Sequence, residues 1–310
     1  MPDVSVLIVT YNSEDQIVGC LRSLLDQRKA ISQEVIVLDN SPTPGTATIV
    51  REQFPEVRLL TPGKNLGFAA GVNAAAKEAR GEFLLLLNPD TIVLRNAVDV
   101  IVAFARANPK YAIFGGRAQK LDGTLEPSSC WGLPSLWSLL MFASGLSAIG
   151  RRYTLLNPES MGSWQRDTAR EVDMISGCFL LVGRDIWNSL RGFDERFFMY
   201  GEDADLAMRA RLAGWRSLMC PTAEFIHEIG KSSETPLHKM ILLYKGKATL
   251  IRTHPSSLWR AISIRLLLTG VFIRAVSYKV YSRVRNQPND ERWYHLWTSR
   301  REWTRGYAKL

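Results

Sequence analysis

Three short polar clusters each follow directly on an apolar run: Thr10-Tyr11-Asn12, Asp39-Asn40-Ser41 and Asn88-Pro89-Asp90. A denser acidic group stands at Asp194, Glu195, Glu202, Asp203 and Asp205, and His227 is one of four histidines. Taken singly, each has an ordinary structural explanation. Asp-Asn-Ser-Pro and Asn-Pro-Asp-Thr are good turn sequences, Asp90 or Thr91 suits a helix cap, and carboxylates in a first helical turn favour its dipole. As a set they can do chemistry. Asp90 offers the hard oxygen that Mg2+ or Mn2+ binds, and His227 offers a nitrogen that Mn2+ accepts more readily. A carboxylate at the head of a helix, such as Asp203, suits a general base acting on a hydroxyl. Breaking a sugar–diphosphate bond has these needs: a divalent cation on the leaving phosphate oxygens and a base for the incoming hydroxyl.

The elements that must position these residues are legible. Val4–Val9 is a β-branched apolar run of the kind buried on both faces of a sheet. A helix pattern follows, with Ile17, Leu21, Leu24 and Leu25 on one face and Ser13 as its N-cap. Glu34–Leu38, Val57–Leu60 and Glu82–Leu87 read as further strands, with a Gly63–Gly67 turn and an Ala-rich helix to about Arg80 before the last. Met174–Val182 reads as one more strand, and a helix runs from Glu202 to about Leu212, closed by Gly214 in a left-handed C′ position. Strands alternating with helices predict a mostly parallel sheet covered on both faces. Ligands bind such sheets at the carboxyl ends of the strands, where the polar clusters fall. No G-x-G-x-x-G follows the first strand and no GxxxxGK[ST] occurs, which disfavours dinucleotide and P-loop sites.

The net charge of +9 belongs to one segment. Twelve of the 39 Lys and Arg but only three of the 30 Asp and Glu lie in residues 251–310, leaving the preceding chain balanced. Arg260, Arg265, Arg274, Lys279 and Arg283 recur there among apolar and aromatic residues, as in a helix lying in a headgroup layer. Trp259, Trp293, Trp297 and Trp303 suit that interface. They could also stack bases, but nothing else points to nucleic acid, and no nucleic-acid partner is expected. Residues 127–150 carry no charge, yet Pro134, three glycines and six serines dilute them. They predict an interfacial or buried helix around Leu136–Ile149 rather than a span. Cys20, Cys130, Cys178 and Cys220 are scattered without a CxxC pair, as expected of buried thiols in a reducing compartment. The N-terminus enters a strand with no basic n-region, so no signal peptide is expected.

VSVLIVTYNS at 4–13, EVIVLDNS at 34–41, NLGFAAGVNAA at 65–75 and FLLLLNPDT at 83–91 occur in order. ISGCFLLVGRD at 175–185, GFDERFFMYGEDADLAMRARLAGW at 192–215 and HEIGKSS at 227–233 follow. In these seven pieces the chain resembles the family 2 glycosyltransferases of the GT-A fold, in the branch containing bacterial rhamnosyltransferases. The resemblance implies an α/β nucleotide-diphospho-sugar transferase fold over residues 1–250, with a donor half at about 1–120 and an acceptor half at about 121–250. Residues 251–310 then form a basic, Trp-rich helical appendage. It implies that Thr10, Tyr11 and Asn12 line the nucleotide pocket, that Asp39 binds the pyrimidine base, and that Asn65 lies beside the donor. Asn88-Pro89-Asp90 takes the place of the metal motif, with Asp90 the main ligand, Asn88 indirect and His227 near the metal and diphosphate. Glu202-Asp203 matches a catalytic pair whose second member is the base. No Gln-x-x-Arg-Trp motif occurs, so a single sugar is added rather than a polymer.

The expected function is inverting transfer of one sugar, dTDP-L-rhamnose being the favoured donor and UDP-sugars the alternative, to a saccharide or lipid-linked saccharide acceptor. A divalent cation is expected as cofactor. The location expected is cytoplasmic, peripheral on an anionic membrane surface at the inner face of the plasma membrane. A nucleotidyltransferase would carry a Gly-rich basic loop near the N-terminus, and Thr10–Asp15 has neither feature. A degenerate binding or scaffold protein would not be expected to keep Asp90, Glu202, Asp203 and His227 together.

Overall fold

The structure, a computed structural model, describes residues 1–27, 30–227, 235–285 and 291–307, with side chains to residue 280 in the third segment. Of the HEIGKSS motif only His227 lies within the described residues. The side chains of Arg283 and Arg285, and all of Asp290 and Lys309, lie outside them.

Val4–Thr10 forms β1, buried along its whole length, and Glu14–Leu25 forms α1 with Ile17, Cys20, Leu21 and Leu24 turned inward. Gln33–Asp39 (β2), Gly45–Gln53 (α2), Arg58–Leu60 (β3), Phe68–Glu78 (α3) and Phe83–Leu87 (β4) continue the alternation. Thr91–Val93 (β5), Ala97–Ala107 (α4), Ile113–Gln119 (β6) and Cys130–Trp131 (β7) lead into two short helices, Leu136–Ala143 (α5) and Leu146–Ile149 (α6). Arg170–Val172 (β8), Met174–Ile175 (β9), Phe179–Gly183 (β10), Arg184–Ser189 (α7), Glu202–Leu212 (α8) and Ser217–His227 (β11) follow. The chain closes with Pro236–Thr253 (α9), Ser257–Arg285 (α10), Arg292–Thr298 (α11) and Arg300–Trp303 (α12).

Among the described residues one sheet runs in the order β3-β2-β1-β4-β10-β6-β11-β5, with β8 added to β11. The β3-β2-β1-β4 half is parallel, in a register that sets Thr10 opposite Asp39 and Ile8 opposite Leu87. Its strands therefore end level, which brings the three polar clusters to one edge. The other half is mixed: β10 is antiparallel to both β4 and β6, and β5 is antiparallel to β11. Val6, Ile8, Val35, Val37, Leu85 and Leu87 join Ile17, Leu21 and Leu24 of α1 and Val98, Ile101 and Val102 of α4 in one core.

Two expected details differ. Ser13 precedes α1 but gives it no side-chain cap. Its hydroxyl instead accepts from Tyr11 N–H at 3.2 Å, folding back on the strand end. Met174–Val182 is not one strand. β9 pairs with β7 in a separate small sheet, and the chain breaks at Ser176–Cys178 before entering β10. Gly214 behaves as expected, with φ at +92° and Trp215 N–H bonded to Ala210 C=O at 2.9 Å.

The chain divides into two compact units. One comprises Met1–Trp131, Gln165–Phe198 and Glu202–Ser233; the other comprises Gly132–Trp164, Met199–Gly201 and Glu234–Leu310. The boundary expected near residue 250 falls inside α9. Ala248 and Ile251 of that helix pack in one core with Leu139, Leu267, Val271, Leu296 and Trp303, so the helix cannot be cut there. The helix expected around Leu136–Ile149 is the α5–α6 pair, with Leu139 and Met141 buried and Trp137 and Leu140 exposed. By length and composition alone Ser257–Val280 is long and apolar enough to cross a membrane, although no span was expected there: its arginines are spaced widely enough for apolar residues to dominate.

Gly67 tests how tightly the first unit holds its edge. Its φ of +80° and ψ of 179° lie in a region open essentially to glycine, and an added Cβ would stand 2.6 Å from Phe198 O. Gly67→Ala should lower the unfolding free energy by about 3 kcal/mol in urea titration. Gly63→Ala, at φ +74° with nothing within 4 Å, should cost only about 1 kcal/mol. Equal losses would show that the contact with Phe198 carries no cost.

Candidate active site

At the ends of β1 and β2 a small network is closed by side chains. Thr10 Oγ1 donates to Asp39 Oδ1 at 2.9 Å, and Ser41 donates to the same oxygen through its N–H at 3.1 Å and its hydroxyl at 2.5 Å. Asp39 is buried, with three donors on Oδ1 and none on Oδ2. Asn12 takes a left-handed φ of +48°, and its N–H donates to Ser41 Oγ at 2.8 Å. Tyr11 is 39% exposed at the rim. Asn65 is exposed and caps its own turn, accepting from Gly67 N–H at 2.8 Å. The buried Asn40 ties that turn to β2, accepting from Leu66 N–H at 3.1 Å and donating to Gly67 O at 3.0 Å.

Asn88-Pro89-Asp90 links β4 to β5. Because β5 pairs with β11, Thr91 lies opposite His227, which sets the histidine beside Asp90 across 137 residues of chain. His227 Nε2 is 3.4 Å from Asp90 Oδ1, and its Nδ1 is 3.3 Å from Ser128 Oγ. Asp90 Oδ1 is buried yet has no hydrogen-bond partner among the described residues, and Thr91 Oγ1 shares that condition. Buried oxygens without donors are costly and call for an explanation. A divalent cation fits: a lone hard oxygen faces a ring nitrogen. Among the described residues no three His, Cys, Asp or Glu side chains converge into a metal cage. A cation here would draw its other ligands from phosphate and water, the usual habit of Mg2+.

The structure sorts the five carboxylates that the sequence groups together. Asp194 pairs with Arg196, Glu195 accepts from Asn73 at 3.0 Å, and Asp205 pairs with Arg209 at 2.7 Å. Arg209 in turn donates to Leu190 O and to Gly192 O. Glu195 ties the 190–198 segment to α3 and the Asp205–Arg209 pair ties it to α8, while Asp194 and Arg196 pair within it. Glu202 and Asp203, in the first turn of α8, have no cationic partner among the described residues. Glu202 Oε2 is buried without a hydrogen bond. Asp203 is steered by the backbone, Oδ1 accepting from Ala204 N–H at 2.8 Å and Oδ2 from Gly177 N–H at 3.3 Å.

The break at Ser176–Cys178 joins the two halves of the site. Gly177 N–H reaches Asp203, while Cys178 C=O accepts from Asn88 N–H at 3.2 Å. Burial pushes the Cys178 thiol up to about 12, and the charges of both Asp90 and Asp203 add to the rise, so both carboxylates flank one sulfur. Glu202 is raised well above its ordinary range by burial, then by the charges of Asp203 and Asp205. Asp203 is raised by burial, against the pull of the Ala204 and Gly177 N–H groups. Two participants, Ser128 and Gly177, were not singled out by sequence, and Asn40 and Ser41 were named only within their cluster, with no role of their own. Ser41 and Asn40 sat in a turn sequence that already had an explanation. Ser128 and Gly177 carry no signal until β5 meets β11 and the 174–183 run breaks.

A parallel half-sheet with polar strand ends, joined to a mixed half that brings an acidic helix start to the same edge, is the GT-A architecture of nucleotide-diphospho-sugar transferases. Comparison with known proteins agrees. The sequence profile of Glycosyl transferase family 2 matches residues 5–155. The chain is 31% identical over 287 residues to N-acetylglucosaminyl-diphospho-decaprenol L-rhamnosyltransferase of Mycobacterium tuberculosis, covering 87% of this chain and 91% of that protein. It is 28% identical over 239 residues to Rhamnosyltransferase WbbL of Escherichia coli, covering 72% and 83%. Among solved structures, mannosyltransferase PcManGT from Pyrobaculum calidifontis, in complex with GDP-Man and Mn2+, shares the fold with a TM-score of 0.56 at 18% identity. That match covers 98% of this chain and 83% of the other. The chain belongs to glycosyl transferase family 2 and is a glycosyltransferase.

The unpartnered pair at the start of α8 has a consequence for stability. A carboxyl whose value is raised on folding stabilises the fold fully below its unfolded value, and that contribution is lost as pH rises toward the folded value. Wild type should therefore lose Tm relative to Glu202→Gln as pH climbs above the ordinary 4.5 of glutamate, measured by thermal unfolding in chelator. Parallel Tm curves for the two proteins would mean that Glu202 ionises without penalty.

Proposed function

We propose that the enzyme transfers one sugar, with inversion, from a pyrimidine nucleoside diphosphate sugar to a hydroxyl of a lipid-linked saccharide, with Asp203 as the general base. The observation that carries this reading is the Asp203 carboxylate: half-buried, without a cationic partner among the described residues, oriented by Gly177 N–H, and joined through Cys178 to the Asn88-Pro89-Asp90 segment. Burial brings its affinity for a proton closer to the working pH, as base catalysis requires. Asp203 takes the proton of the acceptor hydroxyl as that oxygen attacks the anomeric carbon from the face opposite the diphosphate. The bond from that carbon to the phosphate oxygen breaks, and the nucleoside diphosphate leaves. One displacement inverts the centre. Glu202 keeps a second carboxyl beside the base, and its charge state sets the basicity of the pair.

Thr10, Tyr11 and Asn12 line the nucleotide side, and Asp39 binds the base through Oδ2, since Oδ1 already carries three donors. Asn65 and Asn88 bound the donor. Asp90 and His227 would hold a divalent cation, Mg2+ or Mn2+, which supplies charge neutralisation for the leaving diphosphate. The dTDP-L-rhamnose assignment draws on the two rhamnosyltransferase relatives, and the lipid-linked acceptor on the decaprenol named for the mycobacterial one. The halves expected at about 1–120 and 121–250 serve donor and acceptor respectively. The enzyme works from the cytoplasm, peripheral on the anionic inner face of the plasma membrane; the +9 carried by residues 251–310 supports that location.

Asp203→Asn preserves size and removes basicity, so kcat should fall about 10²–10⁴-fold while donor KM stays near wild type. Retention of near wild-type kcat would make Asp203 a helix-start carboxylate and nothing more. Thermal shift tests the donor side independently of turnover. Thymidine or uridine diphosphate with Mg2+ or Mn2+ should raise Tm, chelator should abolish the rise, and adenosine or guanosine diphosphate should give none. Asp90→Ala should lose the metal-dependent part and Asp39→Ala the base preference. Equal protection by all nucleotides, with or without metal, would remove both residues from the site.

A further inference from the structure

Helix α10 is apolar on two opposite faces. Its inward face follows helical spacing through Leu267, Gly270, Val271 and Ala275, all buried. Gly270 lets α5 approach so closely that an added Cβ would lie 2.3 Å from the Phe142 ring. The opposite face carries Leu258, Ile262, Phe272, Ile273, Val276 and Val280, all exposed. These lie on one side of about 33 Å of helix, with a step of ten residues from Ile262 to Phe272. Only Thr269 and Arg265 interrupt them. A helix with apolar side chains on two opposite faces needs both covered, yet only 28% of its most apolar window is buried.

The basic residues expected to grip a membrane are mostly turned to other tasks. Arg274 stacks 3.7 Å over the Phe142 ring and donates to Phe142 O, Gly270 O and Ser147 Oγ. Arg260 donates to His254 O and Pro255 O, closing the turn before the helix. Lys279 lies 5.3 Å over the Tyr294 ring. Arg265 alone stands within the outward stripe, so an attachment made there is chiefly apolar.

We propose that the outward face of α10 is a lipid-docking surface, seated at the boundary of headgroups and acyl chains. This rests on the membrane-surface reading above and assigns the contact within it. Charge chooses lipid over a second copy of the chain: residues 251–310 carry +9, which two apposed copies would bring together and an anionic headgroup layer would neutralise. Trp297, against Phe272 at 4.9 Å between centroids, adds an aromatic of the kind common at that depth. The helix lies flat and does not span. Its inward face is packed against α9 and α11, whose Lys245, Lys247 and Arg292 would otherwise enter hydrocarbon.

Flotation of the full chain with vesicles tests this. Wild type should float with phosphatidylcholine alone and with added phosphatidylglycerol, and should stay bound at high salt. Ile262→Glu/Val276→Glu alters two side chains that are 37% and 45% exposed, and its Tm should match wild type. Its vesicle-bound to free ratio should fall at least on the order of tenfold. Brominated acyl chains should also quench tryptophan emission of the bound wild type. If the variant floats as wild type does, or wild type leaves every vesicle at high salt, the α10 assignment falls while the membrane reading stands. If wild type binds no vesicle, both fall. A wild-type dimer in sedimentation that the variant dissolves would assign the stripe to a second copy and overturn the lipid surface.

Discussion

Two peptide groups on adjacent residues, Gly177 and Cys178, tie the candidate site together. Cys178 C=O accepts from Asn88, and Gly177 N–H donates to Asp203, so the strand-end Asn88-Pro89-Asp90 segment and the carboxylate at the start of α8 are referred to the same stretch of main chain. Main chain is a stiffer reference than side chain, because neither peptide group can rotate away without breaking the start of β10. The arrangement depends on β10 running antiparallel to β4, which puts the beginning of one strand beside the end of the other, Phe179 opposite Leu87. A ninth strand continuing the parallel half would have carried the loop to the far edge of the sheet. Glycine at 177 follows from the same crowding, since a Cβ there would stand 3.2 Å from the Phe68 ring.

The polar groups at this edge fall into two kinds among the described residues. Asp39, Asn40, Asn73, Asp194 and Asp205 have hydrogen-bond or ion-pair partners in the fold. They set the shape of the edge and cost little. Asp90 Oδ1, Thr91 Oγ1 and Glu202 Oε2 are buried and unsatisfied. An apolar environment that strengthens a paired charge makes an unpaired one expensive. Departures from full satisfaction of this sort concentrate where a protein binds or reacts, and here they coincide with the residues that family membership makes candidates for metal and catalysis.

The second unit follows a different logic. Its core gathers Trp303, Leu296, Leu267, Val271 and Ile251 around Tyr244, whose ring meets those of Phe142, Trp293 and Trp303. Burial pushes the Tyr244 hydroxyl above its ordinary range, as expected where aromatic mass is enclosed with few polar atoms. Arginines there are structural: Arg274 closes the α5–α6 turn through three acceptors. A segment that carries the whole net charge therefore still presents an apolar outer stripe, because a helix side chain answers to its angular position and not to the average of its neighbourhood.

By itself the sequence determined the parallel half of the sheet and the edge where function would lie. Val4–Val9, Glu34–Leu38 and Glu82–Leu87 are apolar runs ended by polar residues, and a central parallel strand buried on both faces permits little else. Ordered motifs across the chain were enough to indicate the family and to nominate Asp90, Asp203 and His227. Only the tertiary structure decided which carboxylates of the 194–205 cluster are spent on arginine or asparagine and which are left unpaired. Only it split Met174–Val182, set Ser128 against His227, and placed the compact boundary away from residue 250. It also turned Arg274 inward. Each of these is a contact between residues far apart in the chain. Local spacing encodes period and burial, while the partner of a buried polar group is chosen by strand pairing across the sheet, and that information exists only once the chain has closed on itself.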